Sequence, residues 1–180
     1  MCVHPLALSA VRDRAAGGYH RRVDDDSLVA AARDLVARPF FADGPRGGSW
    51  LVGETESVPG GHFAPLASSP SLYETPADDD GTIGDIYEQV YTDLKSRRRR
   101  AADALAAIWG PPRPYSFAAE LERFWADHES LSPFEYDLAL FAGEEPFPSW
   151  RRHDRLVALL LGQMDKEFPI VLTLAVIARS

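Results

Sequence analysis

From Ile83 or Asp85 to Trp109, apolar side chains recur at helical spacing for about seven turns, and Gly110-Pro111-Pro112 ends the run. At about 100° per residue, Ile83, Ile86, Val90, Leu94, Ala101, Leu105 and Ile108 share one arc, flanked by Tyr87, Tyr91 and Trp109. A helix of this length with one apolar stripe must bury that stripe. The rest of the chain therefore has to supply a surface to cover it.

The segments downstream supply β-type candidates. A second helix is predicted from Phe117 to about Glu129, with Ser116 as its N-cap and Phe117, Leu121, Phe124 and Trp125 on one face. Three apolar segments follow, Tyr136–Ala142, Arg155–Leu161 and Phe168–Ile177, separated by turn-forming residues. Their simplest assembly is a C-terminal three-stranded antiparallel meander. A helix capped by Ser149 and ending at Gly162 competes for the middle segment, because periodicity does not separate the two over so short a run.

Residues 1–82 read as an irregular N-terminal region packed on an α+β core of residues 83–180, one domain overall. The exception is a short helix from Asp26 or Ser27 to about Arg38, where Leu28, Ala31, Ala32, Leu35 and Val36 are helically spaced and Pro39 stops the pattern. Trp50-Leu51-Val52-Gly53 reads as a brief strand. Pro59-Gly60-Gly61 and Ser68-Ser69-Pro70-Ser71 read as turns. The fold class is thus α+β: an irregular N-terminal half with one short helix, a long helix, a second helix and the meander.

Composition narrows the function classes. The single cysteine, Cys2, excludes an intrachain disulfide and a cysteine-based zinc ribbon. Arg12, Asp13 and Arg14 interrupt the N-terminal apolar run too early for a signal peptide, so the expected location is cytoplasmic. A net charge of −8 opposes nucleic acid and anionic membrane and favours a basic partner. No phosphate loop, dinucleotide glycine pattern, zinc-binding His-Glu-x-x-His or Gly-x-Ser-x-Gly elbow is present. Asp24-Asp25-Asp26 and Asp78-Asp79-Asp80 lack the alternating spacing of a calcium loop, so neither a metal nor a cofactor is expected.

Candidate binding residues come from three places. Arg97 falls within the apolar arc of the long helix and Arg98 near its edge, where a cation must snorkel, pair with a carboxylate or meet a ligand anion. His128, continuing the face of Leu121, Phe124 and Trp125, and His153, ahead of the second β segment, are candidate acid/base groups. The plainer readings are a structural ion pair for the arginines and a helix-end charge for His128. Phe147, Trp150 and Tyr136, with Glu144 and Glu145 at a turn, are candidate contacts for a protein partner, against the plainer reading that these aromatics are core.

In style and composition, the last 100 residues or so resemble the small α+β proteins that act as intracellular immunity or adaptor proteins in actinobacteria. The resemblance implies an acidic intracellular module that binds or inhibits a basic protein. A different class of function is an anion-binding protein or enzyme using Arg97 with His128 or His153. A third is a self-associating protein, a homodimer joined through an edge strand, either Tyr136–Ala142 or the last strand.

Overall fold

The computed structural model describes residues 25–41, 52, 54–70, 82–127, 131, 135, 138, 146–163 and 168–178. Through them the chain runs α1 (Asp25–Ala37), β1 (Glu56–Val58), β2 (Gly61–Ser68), α2 (Thr82–Trp109), β3 (Arg113–Tyr115), α3 (Ala118–Ala126), β4 (Phe147–Arg152), β5 (Arg155–Gly162) and β6 (Val171–Ala178).

The two long periodic patterns form the helices expected of them. In α2, Val90, Leu94, Ala101 and Leu105 are buried in one line. Gly110 ends the helix at φ +83°, a left-handed conformation open to glycine, and its N–H donates to the Ala106 carbonyl at 2.9 Å. In α1, Asp25 and Asp26 occupy the first turn, where carboxylates suit the helix dipole, and Leu28, Ala32 and Leu35 are buried.

The sheet departs from the expected meander. It is a six-stranded antiparallel sheet in the order β1-β2-β6-β5-β4-β3, drawing strands from both sides of residue 82. β5 and β6 pair from Arg155↔Ala178 to Gly162↔Val171, which also settles residues 155–161 as strand. β6 is not an edge, because β2 pairs along its other side from Gly61↔Ile177 to Ser68↔Val171. The irregular reading of the N-terminal half fails at β2 for a local reason. Five of its eight residues are Gly, Ala, Pro or Ser, so neither alternation nor β-propensity marks it, and a register shift between Pro65 and Ala67 admits the proline. β4 is hidden by Pro148, which faces Pro114 of β3 at a rung where neither residue has an N–H to donate. Of the expected strand Tyr136–Ala142, Leu138 is described and is helical, and the rest lies outside the described residues. Val52 is in a turn, and its expected strand partners Trp50, Leu51 and Gly53 also lie outside them.

Both faces of the central strands are covered, which explains why their sequences are apolar throughout. One face packs Val157, Leu159, Leu161, Leu172, Leu174 and Val176 against α1 and α2. The other packs Leu156, Ala158, Leu160, Ala175 and Ile177 with Phe63, Phe117, Phe147 and Leu138. Each fully buried leucine contributes about 2 kcal/mol of transfer free energy, so this sheet dominates the stability of the fold.

Candidate functional site

Among the described residues, a cluster of polar contacts lies where the end of α1 meets the sheet. Pro39 forces the chain out of the helix and leaves its last carbonyls without intrahelical donors. Arg155, the first residue of β5, supplies them: its Nη1 donates to the carbonyl of Leu35 at 3.2 Å and to that of Arg38 at 2.5 Å. The same guanidinium lies over the Phe40 ring, 4.2 Å from its centre. Arg38 itself pairs with Asp34 at 2.7 Å on the surface.

His62 sits beneath this arginine. It is fully buried in β2, stacked on Phe40 with centroids 4.9 Å apart and planes inclined by 15°. The hairpin joining β1 to β2 turns at Pro59-Gly60 and sets Ser57 opposite His62. The Ser57 Oγ is 2.8 Å from His62 Nδ1, and His62 Nε2 is 3.2 Å from the Arg38 carbonyl. A carbonyl only accepts, so Nε2 carries the hydrogen and Nδ1 accepts the hydroxyl proton of Ser57. Burial holds the His62 pKa below its ordinary value. The Arg38 and Arg155 charges push the same way, while the bond to the Arg38 carbonyl and the Asp34 carboxylate oppose them. At neutral pH the imidazole is a neutral base with a serine hydroxyl already bonded to it.

The residues singled out in the sequence are dispersed. Arg97 and Arg98 are half-buried on α2, and Arg98 Nη1, set between Leu94 and Ala101, is removed from solvent. His153 is exposed in the two-residue turn between β4 and β5, at φ +56°. Arg97 is about 18 Å along the helix axis from Trp109, the ring that Arg152 overlies beside that turn, so the two proposed partners belong to different levels of the fold. Phe147 and Trp150 are not exposed anchors. They are 1% and 4% exposed, because alternate β4 side chains enter the two opposite cores. The Trp150 indole also donates to the Gly110 carbonyl at 2.8 Å. His128, Tyr136, Glu144 and Glu145 lie outside the described residues.

Among the described residues the most exposed aromatic is instead Trp125, 77% accessible near the end of α3, ahead of Phe41, Phe168 and Tyr87. It was expected on the apolar face with Phe117. Eight positions on, it has rotated by about 80° from Phe117, which takes it off the buried stripe of a helix only nine residues long. Glu122 and Asp127, three positions before it and two after, are exposed as well, and Arg123 bonds Glu135 at 2.9 Å. Ser116 Oγ accepts from the Ala118 N–H at 3.1 Å, so the serine serves the start of α3 although Phe117 holds the cap position.

Sequence reasoning missed Ser57, His62, Phe40 and Arg155. The available signal was Ser-Val-Pro-Gly-Gly-His, since a two-residue Pro-Gly turn places the serine and histidine across from one another. Among the described residues, no group of three or more His, Cys, Asp or Glu is placed to hold a metal ion, and no helix is long and apolar enough to cross a membrane. No protein family, curated protein or solved structure matches the chain.

Proposed function

We propose that the chain is an acidic protein-binding module, of the inhibitor or immunity type, for a partner with a basic surface, and that α3 is its contact element. The supporting observation is Trp125: a tryptophan 77% exposed on a short helix that also presents Glu122, with Asp127 exposed just past its end. Tryptophan is enriched among residues that dominate binding energy, and carboxylates around it steer a cationic partner into place. The net charge of −8 acts in the same direction at long range. Self-association through a sheet edge has less support, since the edge strands β1 and β3 have three residues each and β3 contains Pro114.

The test is a quantitative pull-down from native cell extract with three baits, the unaltered chain, Trp125→Ala and Glu122→Lys. The expected result is a basic protein retained by the first bait and lost from the other two, with Kd raised about 30-fold by Trp125→Ala. Equal retention of the same proteins by all three baits removes α3 as the contact element.

A further inference from the structure

We propose that Ser57 is a nucleophile, with His62 Nδ1 as its general base, and that the pair accepts acyl groups from activated esters. This inference is independent of the binding role of α3. Three observations carry it. The Ser57 Oγ–His62 Nδ1 separation of 2.8 Å is within the reach a base needs to take the proton. The Arg38 carbonyl holds Nε2–H at 3.2 Å, doing for this imidazole what a carboxylate does in a serine–histidine–aspartate triad, namely selecting the tautomer and orienting the ring. That carbonyl is itself held by Arg155 Nη1, and Phe40 stacks on the ring, so the base cannot rotate away. Ser57 meanwhile lies half-buried in β1, an edge strand of the sheet, whereas His62 is fully buried in β2.

The step balances with water as co-reactant. Ser57 Oγ forms a bond to the acyl carbon while its hydrogen passes to His62 Nδ1. The carbon–oxygen bond of the ester breaks, and the Nδ1 proton leaves with the alcohol. Water then attacks the acyl-serine, again giving its proton to Nδ1, and releases the acid and Ser57. The groups facing His62 decide the substrate class. Asp34 faces it from α1, Arg38 from just beyond the end of that helix and Arg155 from β5, with Asp154 beside Arg155; burial and the two guanidinium groups disfavour an imidazolium more than the Arg38 carbonyl and Asp34 favour it. A base of that kind takes the serine proton only weakly, which matches esters with a strongly electrophilic acyl carbon, such as aryl esters, rather than amides.

A fluorophosphonate probe, read by peptide mass spectrometry on the whole chain, tests this. Ser57 is expected to react at least tenfold faster than the exposed Ser96 and Ser116, with no labelling at residue 57 in Ser57→Ala. His62→Gln should slow labelling about 100-fold. If His62→Gln does not fold, the native chain decides through its pH profile: a rate level above pH 6.5 and falling below it supports the proposal. Labelling of Ser57 no faster than Ser96 and Ser116, or a rate climbing tenfold per pH unit through neutrality as hydroxide alone would drive it, overturns it.

Discussion

The guanidinium of Arg155 lies 4.2 Å from the centre of the Phe40 ring while its Nη1 donates to two carbonyls at the end of α1, so one side chain of the sheet both caps the helix and seals His62 beneath it. Arg155 is 14% exposed at its side chain, which keeps these bonds out of competition with water. Replacing it by alanine takes its donor from the Leu35 carbonyl and leaves the Arg38 carbonyl with the His62 Nε2–H alone. Arg155→Ala is expected to cost about 2–3 kcal/mol, and Arg155→Lys about half of that because ammonium restores the charge without the planar fork. Urea unfolding midpoints check this, and equal losses for the two variants would show that packing alone matters.

His62 makes stability depend on pH. Its pKa is held below 6.5 by burial first and by the Arg38 and Arg155 charges next, so the unfolded chain takes up the proton at a higher pH than the folded one. The contribution is therefore complete above pH 6.5 and is lost as the pH falls through the lower folded value. The slope should be no steeper than about 1.4 kcal/mol per pH unit, the limit for one proton. Denaturation of the native chain and of His62→Gln between pH 7.5 and 5 isolates it, with the variant expected to be the flatter. Parallel curves would place the acid sensitivity elsewhere.

Burial separates the aromatics that looked alike in the sequence. Phe147→Ala opens a cavity between Phe117 and the sheet and is expected to cost about 3–5 kcal/mol. Trp125→Ala removes a ring that is mostly in water and should change stability by no more than about 0.5 kcal/mol. Thermal unfolding of the two variants side by side distinguishes a core side chain from one at the surface.

Thr173 sits in the middle of β6 with Oγ1 buried and no hydrogen-bond partner among the described residues. Valine has nearly the same shape and no hydroxyl to desolvate. Thr173→Val is expected to leave stability unchanged or raise it by about 1–2 kcal/mol. A loss of more than about 1 kcal/mol would show that the hydroxyl has a partner after all.

What could be read ahead of the structure follows the range of the interactions. α1, α2, β5 and β6 were legible because each carries its own signal: helical spacing with a Pro39 or Gly110 stop, or an apolar run such as Leu156–Leu161 flanked by turns. β2 and β4 carry none. Pro65 and Pro148 argue locally against strand, and pairing with partners more than 100 residues away in the case of β2 and β6 overrides them. The site was illegible for the same reason. His62 gains its environment from Arg38 and Phe40, more than 20 positions earlier, and from Arg155, more than 90 later. The arginine run, by contrast, was conspicuous in sequence and is scattered around α2 in space, with Arg99 and Arg100 exposed and Arg97 and Arg98 half-buried.

Two glycines of α2 and its terminus should respond to the same substitution with opposite signs. Gly84 lies within the helix, exposed, and a methyl group built there meets nothing within 4 Å. Alanine fits its backbone and reduces the freedom of the unfolded chain, so Gly84→Ala is expected to stabilise by about 0.4–1 kcal/mol. At Gly110 the space is equally open, but φ is +83°. The left-handed backbone there is anchored from both sides, its N–H on the Ala106 carbonyl and its own carbonyl on the Trp150 indole, so it cannot relax without releasing a buried tryptophan. Gly110→Ala should therefore cost about 1–2 kcal/mol of conformational strain with no steric term. Asparagine, which tolerates this region better, should cost less at Gly110 than alanine, while at Gly84, where its helix propensity is poorer, it should stabilise less. Urea midpoints for the four variants give the ordering, and a destabilising Gly84→Ala or a neutral Gly110→Ala would mean that α2 does not begin or end where these residues place it.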